Sequence, residues 1–156
     1  MTSDTMQVRP ARITDHPHML ELWERSVRAT HHFLSEQDIA TLRPLVRELF
    51  PSGSPEFWVV VRASDVPFGF LGYAQDSVEA LFIDPDEHGR GAGKLLMAHA
   101  QQLGGGALTV EVNEHNEGAV GFYVAQGFEV VSRSELDAGG RPFPTLHMRR
   151  PAPAER

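Results

Sequence analysis

Hydrophobic positions change their spacing several times along this chain, and each change marks a new element. Gln7–Arg12 is a short extended candidate, closed by Thr14-Asp15, a pair suited to capping a helix. Met19, Leu20, Trp23 and Val27 then recur at helical spacing. Ser35 caps a second helical stretch in which Ile39, Leu42, Val46 and Leu49 share a face, with Pro44 inside it expected to kink or split it. Pro51-Ser52-Gly53-Ser54-Pro55 ends the helical region. Phe57–Val61, Phe68–Ala74 and Ser77–Ile83 follow as three strands, the first two joined by a turn at Ser64–Pro67, and together they read as an antiparallel meander. Ala92–Leu103 returns to helical spacing through Leu95, Leu96, His99 and Leu103, and Gly104-Gly105-Gly106 stops it. Ala107–Val112 is a strand, Asn116–Gln126 a helix closed by Gly127, and Phe128–Ser132 and Thr145–Arg149 are two further strands. This order predicts an α/β fold of the α+β type, a mixed and mostly antiparallel central sheet flanked by helices.

A length of 156 residues suits one domain, placed here at residues 6–150, with 1–5 and the proline-rich 151–156 as loose tails. With 41% hydrophobic residues such a chain builds a core without staples. The absence of cysteine excludes a disulfide framework, a thiolate metal site and a cysteine nucleophile. A net charge of −7 with scattered arginines argues against a nucleic-acid partner. No run approaches the roughly 18 apolar residues that span a membrane, and the polar start Met1–Met6 lacks a secretory pattern. The expectation is a soluble cytoplasmic protein, monomer or homodimer, with no membrane partner. The histidines do not cluster with carboxylates at ligand spacing, so no metal is expected.

The most informative stretch is Ile83–Met97. Asp84-Pro85 breaks a strand, Gly89, Gly91 and Gly93 alternate, and an apolar helix opens at once. Glycines let backbone N–H groups approach a ligand, and a helix start adds unpaired donors and a positive dipole end. The combination suits a phosphate or pyrophosphate. Counting excludes two familiar loops. Lys94 has His88 six positions before it and Leu95 after it, where the P-loop needs glycine and a hydroxyl. The dinucleotide fingerprint would need glycine at Leu96 or at Lys94. A nucleotide hydrolase is disfavoured on the same grounds.

His88-Gly89-Arg90-Gly91-Ala92-Gly93 resembles the coenzyme loop of the GNAT N-acetyltransferases, departing from it at the first position, where histidine replaces the usual Gln or Arg. A second family motif is met at Asn116, Ala119, Phe122, Tyr123, Gly127 and Phe128. The resemblance runs from Gln7 to Arg149 and is closest to a bacterial subgroup in Ser26–Ser35, Ala80–Pro85 and Leu136–Leu146.

The resemblance implies the GNAT fold, with its fourth and fifth strands splayed apart, and acetyl transfer from acetyl-CoA to a primary amine by direct attack in a ternary complex. The acceptor would be a protein lysine, a protein N-terminus or a small-molecule amine. The alternative is a noncatalytic sensor that binds CoA. By resemblance, the coenzyme would be held by Leu81, Phe82 and Ile83 on the fourth strand, by the loop from His88 through Gly89, Arg90, Gly91, Ala92 and Gly93 to Lys94, and by Asn116 and Ala119. Tyr123 would protonate the departing thiolate. Glu79, two residues before Leu81 and sharing its side-chain parity, is a candidate base for the amine. Glu111 and plain solvent are its rivals. His31 and His32 lie where the first two helices wall the acceptor site, and a histidine there binds or deprotonates substrate. Tyr73, Arg133 and Arg141 complete the acceptor side.

Overall fold

The computed structural model describes residues 5–156. Seven strands, Gln7–Pro10 (β1), Glu56–Val61 (β2), Gly69–Ala74 (β3), Ser77–Ile83 (β4), Leu108–Asn113 (β5), Glu129–Ser134 (β6) and Thr145–Arg150 (β7), form one sheet in the order β1-β2-β3-β4-β5-β7-β6. The helices are His16–Thr30 (α1), Glu36–Leu49 (α2), Ala92–Gly104 (α3) and Glu117–Ala125 (α4). Every neighbouring strand pair is antiparallel except β4 and β5.

The pleat of β2 sorts the core into two layers. Val59 and Val61 face α1 and α2, where Met19, Leu22, Trp23 and Phe70 pack with them. Val60 faces the other way, into a layer where Leu96, Met97, Ala100 and Tyr123 of α3 and α4 meet Leu71, Val110 and Met148.

The parallel pair sets up the site. β4 and β5 pair only through Ser77 with Thr109 and Val78 with Val110, and then part. At the parting point Gly72 opposes Ala80 while Tyr73 opposes Val78, which leaves Glu79 without a partner. Such a bulge bends the strand and sharpens its twist. Beyond it, residues 79–83 have β3 as their one neighbour in the sheet.

Four expectations are corrected. Pro44 does not split α2, which runs unbroken from Glu36 to Leu49. Pro44 and Ala40 are both exposed, so the carbonyl that loses its helical donor faces water. The apolar face of α2 is also narrower than its spacing suggests, with Ile39 buried and Leu49 39% exposed. Asp15 is the N-cap residue of α1, but its side chain makes no capping bond to that helix. It is buried, accepts the Arg12 N–H at 2.7 Å and pairs with the Arg9 guanidinium at 2.7 and 3.0 Å, tying β1 to the first helix. Residues 151–156 are not loose. Pro153–Glu155 forms a 3-10 turn, and Arg156 donates to Gln101 of α3 at 2.8 Å and to the Pro151 carbonyl at 2.9 Å. In the expected tail 1–5, residues 1–4 lie outside the described residues.

Candidate active site

Where β4 and β5 separate, a cleft of about 700 Å³ opens between the end of β4, the N-termini of α3 and α4, and the last turn of α1. Its β4 wall offers backbone groups. Asp84 N–H donates to the Phe68 carbonyl at 2.8 Å. Bonded and unbonded residues alternate along an antiparallel ladder, so Phe82 and Ala80 turn their polar groups to β3. Leu81 and Ile83 turn theirs towards the gap that β5 has left. The Ile83 carbonyl is taken by Ser26 Oγ at 3.0 Å and by His88 Nε2 at 3.1 Å. The N–H groups of Leu81 and Ile83 and the carbonyl of Leu81 remain on that edge.

The floor is the start of α3. Gly91 is its N-cap, at φ 90°, and provides no side chain to cap the helix. The first helical bond runs from Leu95 N–H to Gly91 C=O at 3.0 Å, so the N–H groups of Ala92, Gly93 and Lys94 have no helical acceptor. Gly89, at φ 79°, has open space where a Cβ would sit. Uncapped donors at a positive dipole end, beside an edge of free amide groups, fit the pyrophosphate and the amide-bearing arm of a coenzyme A thioester. Of the loop residues, Arg90 does not line the cleft; its side chain is 63% exposed, 3.9 Å from Glu87.

The far wall is α4. Asn116 caps it, its Oδ1 accepting the Ala119 N–H at 3.3 Å. Tyr123 lines the cleft while packing edge-on against Phe122 and Phe128. Burial alone pushes its phenol well above the ordinary tyrosine range, so the hydroxyl keeps its proton at any working pH.

The roof comes from α1. Thr30 Oγ1 donates to the Ser26 carbonyl at 2.7 Å and lies 2.7 Å from His31 Nδ1. A hydroxyl has one proton to give, so Nδ1 carries the hydrogen of that second bond. Nε2 of His31 is then the lone-pair nitrogen, 3.5 Å from Asn116 Nδ2. Burial, reinforced by His32, pushes the His31 pKa down to about 4. The ring is neutral at pH 7 and presents an acceptor to the cleft. Ser26 and Thr30, set four residues apart on α1, were not singled out from the sequence; that spacing beside His31 was the available signal.

Several expected residues lie elsewhere. Glu79 is exposed on the bulge, accepts from Ser77 Oγ at 3.1 Å and does not line the cleft. The bulge is the reason: Val78, Leu81 and Ile83 all pack in the α3–α4 layer, so the side-chain alternation slips by one at Glu79. Tyr73 is a core residue; its hydroxyl donates to Asp76 at 3.1 Å in the β3–β4 turn, away from the cleft. His32 is exposed and outside the lining. Arg141 folds back on Asp137 within the β6–β7 loop, and Arg133 pairs with Glu114 and Glu135. Glu111 pairs with His147 at 3.2 Å. Among the described residues no group of His, Asp or Glu is arranged to hold a metal ion.

A family model for the acetyltransferase (GNAT) domain matches residues 28–149. The chain is 43% identical over 143 residues to the peptidyl-lysine N-acetyltransferase YjaB of Salmonella typhimurium, covering 92% of this chain and 97% of that protein. It is 33% identical to the peptidyl-lysine N-acetyltransferase YiaC of Escherichia coli, covering 80% and 84%. The solution structure of apo-form YjaB from Escherichia coli superposes with a TM-score of 0.86 at 41% identity, covering 95% of this chain and 99% of that one. The PaiA N-acetyltransferase from Thermoplasma acidophilum, solved in complex with coenzyme A, shares the fold at a TM-score of 0.71 and 21% identity, covering 94% and 99%. With both sequence motifs folded onto one cleft and these likenesses spanning nearly its whole length, the chain belongs to the GNAT family of N-acetyltransferases, which move an acetyl group from acetyl-CoA to an amine.

Proposed function

We propose that this enzyme acetylates lysine side chains of protein acceptors by direct attack on acetyl-CoA, with Tyr123 as the proton donor to the departing thiolate. The observation that carries the acceptor class is 43% identity, through 92% of the chain, to a peptidyl-lysine acetyltransferase. Acetyl-CoA supplies the activated acyl group, whose C–S bond breaks as the N–C bond forms.

The chain's own residues divide the remaining work. The donors of Gly89 through Lys94 hold the pyrophosphate, and Leu81 and Ile83 the amide arm along β4. Leu81 N–H is suited to the thioester oxygen, where negative charge gathers during attack. Tyr123, protonated by virtue of its burial, shares or gives its proton as negative charge reaches sulfur. Asn116 braces the start of α4 and orients His31. No carboxylate stands at the acyl end of the lining, so we assign deprotonation of the ammonium to solvent. His31, with its pKa near 4, is too weak a base for that task and acts as a hydrogen-bond acceptor. A cytoplasmic setting, where acetyl-CoA and protein lysines meet, fits this reading.

The test is a lysine peptide with a blocked N-terminus. Acetyl-lysine in its mass spectrum, matched by released CoA thiol, supports the reading. Turnover of small amines alone would reassign the acceptor, and acetyl-CoA binding with no thiol release for any amine would leave a sensor.

A further inference from the structure

Four aromatic rings from three parts of the chain meet beside the cleft, and the glycine loop and Tyr123 have no part in them. Phe33 is the hub. It lies in the α1–α2 connection, 5.3 Å from the His31 ring, 6.1 Å from His115 in the β5–α4 turn and 5.5 Å from Phe143 in the β6–β7 loop. His31 continues the row inward, 6.5 Å from Phe82 on β4. The rings are not sealed in a core, since Phe33 and Phe143 are half-buried and His115 is exposed. The loops that carry His115 and Phe143 are joined by Glu114 N–H donating to the Pro144 carbonyl at 2.9 Å.

We propose that Phe33, His115 and Phe143 form an aromatic port for the alkyl stem of a lysine side chain, whose nitrogen is received at Nε2 of His31. The proposal rests on the lysine reading above and adds to it how that amine is told apart from others. Four methylenes ending in a nitrogen suit a partly exposed row of aromatic ring faces that ends at a lone pair. The stem gains apolar contact along the rings, and an ammonium at the entrance is attracted to their faces. The tautomer set by the Thr30 bond leaves one lone pair on Nε2, whose contact with Asn116 Nδ2 is long at 3.5 Å, and an arriving amine takes the place of that donor. An α-amine at a peptide N-terminus has no stem to fill the port, so the port selects side-chain amines over N-terminal ones.

The test compares Phe33→Leu, Phe143→Leu and His31→Phe with the parent on two acceptors: an N-terminally blocked peptide with one lysine, and a lysine-free peptide with a free α-amine. Leucine keeps apolar bulk, so folding is preserved, and unfolding temperature and acetyl-CoA affinity are measured alongside. For the leucine variants the expected result is a roughly tenfold rise in KM for the lysine peptide, the factor that contacts of this kind support, with kcat changed far less. The α-amine peptide should change less than threefold. His31→Phe keeps a ring and loses Nε2, and should lower kcat/KM for the lysine peptide by a similar factor. Equal losses on both acceptors would make the rings mere loop packing, and unchanged lysine kinetics would also overturn the port. If the parent itself ignores lysine and modifies only the α-amine, the lysine reading falls and the port with it; lysine turnover indifferent to all three variants removes the port alone.

Discussion

At the scale of single residues, burial and hydrogen bonding decide which titratable groups can act. Glu79 has the right chemistry for a base, but it sits on the β4 bulge beside Ser77, outside the cleft. Glu79→Gln should therefore match the parent in kcat/KM at every pH; a loss that shrinks as pH rises would restore it as the base. His31 carries a different consequence. Its folded pKa of about 4 lies below the ordinary value of 6.5 because burial disfavours the charged ring, and His16 and His99 are lowered for the same reason. The unfolded chain then binds more protons than the folded one between these values. Stability from this source is complete above pH 6.5, falls as pH drops towards 4, and levels off below. His31→Gln should flatten that limb by up to a few kcal/mol in urea melts taken from pH 7 to 4, without erasing it, because His16 and His99 remain. An unchanged limb would mean that the ring is charged in the fold.

At the scale of elements, the glycine loop and the start of α3 form the coenzyme end of the proposed site. Gly91 sits at φ 90°, a conformation that side-chain-bearing residues rarely adopt, so Gly91→Val should distort the N–H array and weaken acetyl-CoA binding by tenfold or more. His88→Ala loses only the bond to the Ile83 carbonyl and should do much less. A Cβ at Gly93 would lie 3.1 Å from Phe122, so substitution there should weaken binding by pushing α3 away from α4. Calorimetry on folded variants checks the order, and equal losses at Gly91 and His88 would contradict it. Most of these elements were legible in the sequence because their signals are local. Ser35, the alternating glycines and the spacing from Asn116 to Phe128 all act within one turn, one loop or one helix with its ends. What was not legible depends on partners distant in the chain. Pro44 was read as a break because sequence does not reveal that Ala40 faces water. Glu79 was placed by simple alternation, which a bulge set by the β3 register overrides. Tyr73 reads as a free polar aromatic until Asp76 takes its hydroxyl. The proposed aromatic port joins Phe33, His115 and Phe143 from three loops, and no spacing in the sequence announces it.

At the scale of the whole molecule, two layers of core hold a sheet that is deliberately incomplete between β4 and β5, and stability has to be supplied elsewhere. One source is the Arg9–Asp15 pair, which fastens the edge strand β1 to α1 with side-chain exposures of 14% and 7%. Burial on its own would raise the Asp15 carboxyl; the Arg9 guanidinium and the Arg12 N–H outweigh it and hold the pKa low. Arg9→Met would leave that buried charge short of its partner and should cost about 3 kcal/mol of unfolding free energy. Arg12→Met, at a side chain 58% exposed, should stay within about 0.5 kcal/mol, and equal effects would contradict the distinction. In the proposed reaction an acyl donor along β4 and an amine from the α1 side meet beside Tyr123 in the open seam. The measurement that tests it most directly follows acetyl-lysine and free CoA thiol together, for the parent and for Tyr123→Phe, on one lysine peptide. Equal amounts of both products are expected from the parent, and a rate roughly 10²–10⁴-fold lower from Tyr123→Phe with acetyl-CoA affinity and unfolding temperature unchanged. Near-parental turnover by Tyr123→Phe, or a parent that binds acetyl-CoA and forms neither product, would contradict it.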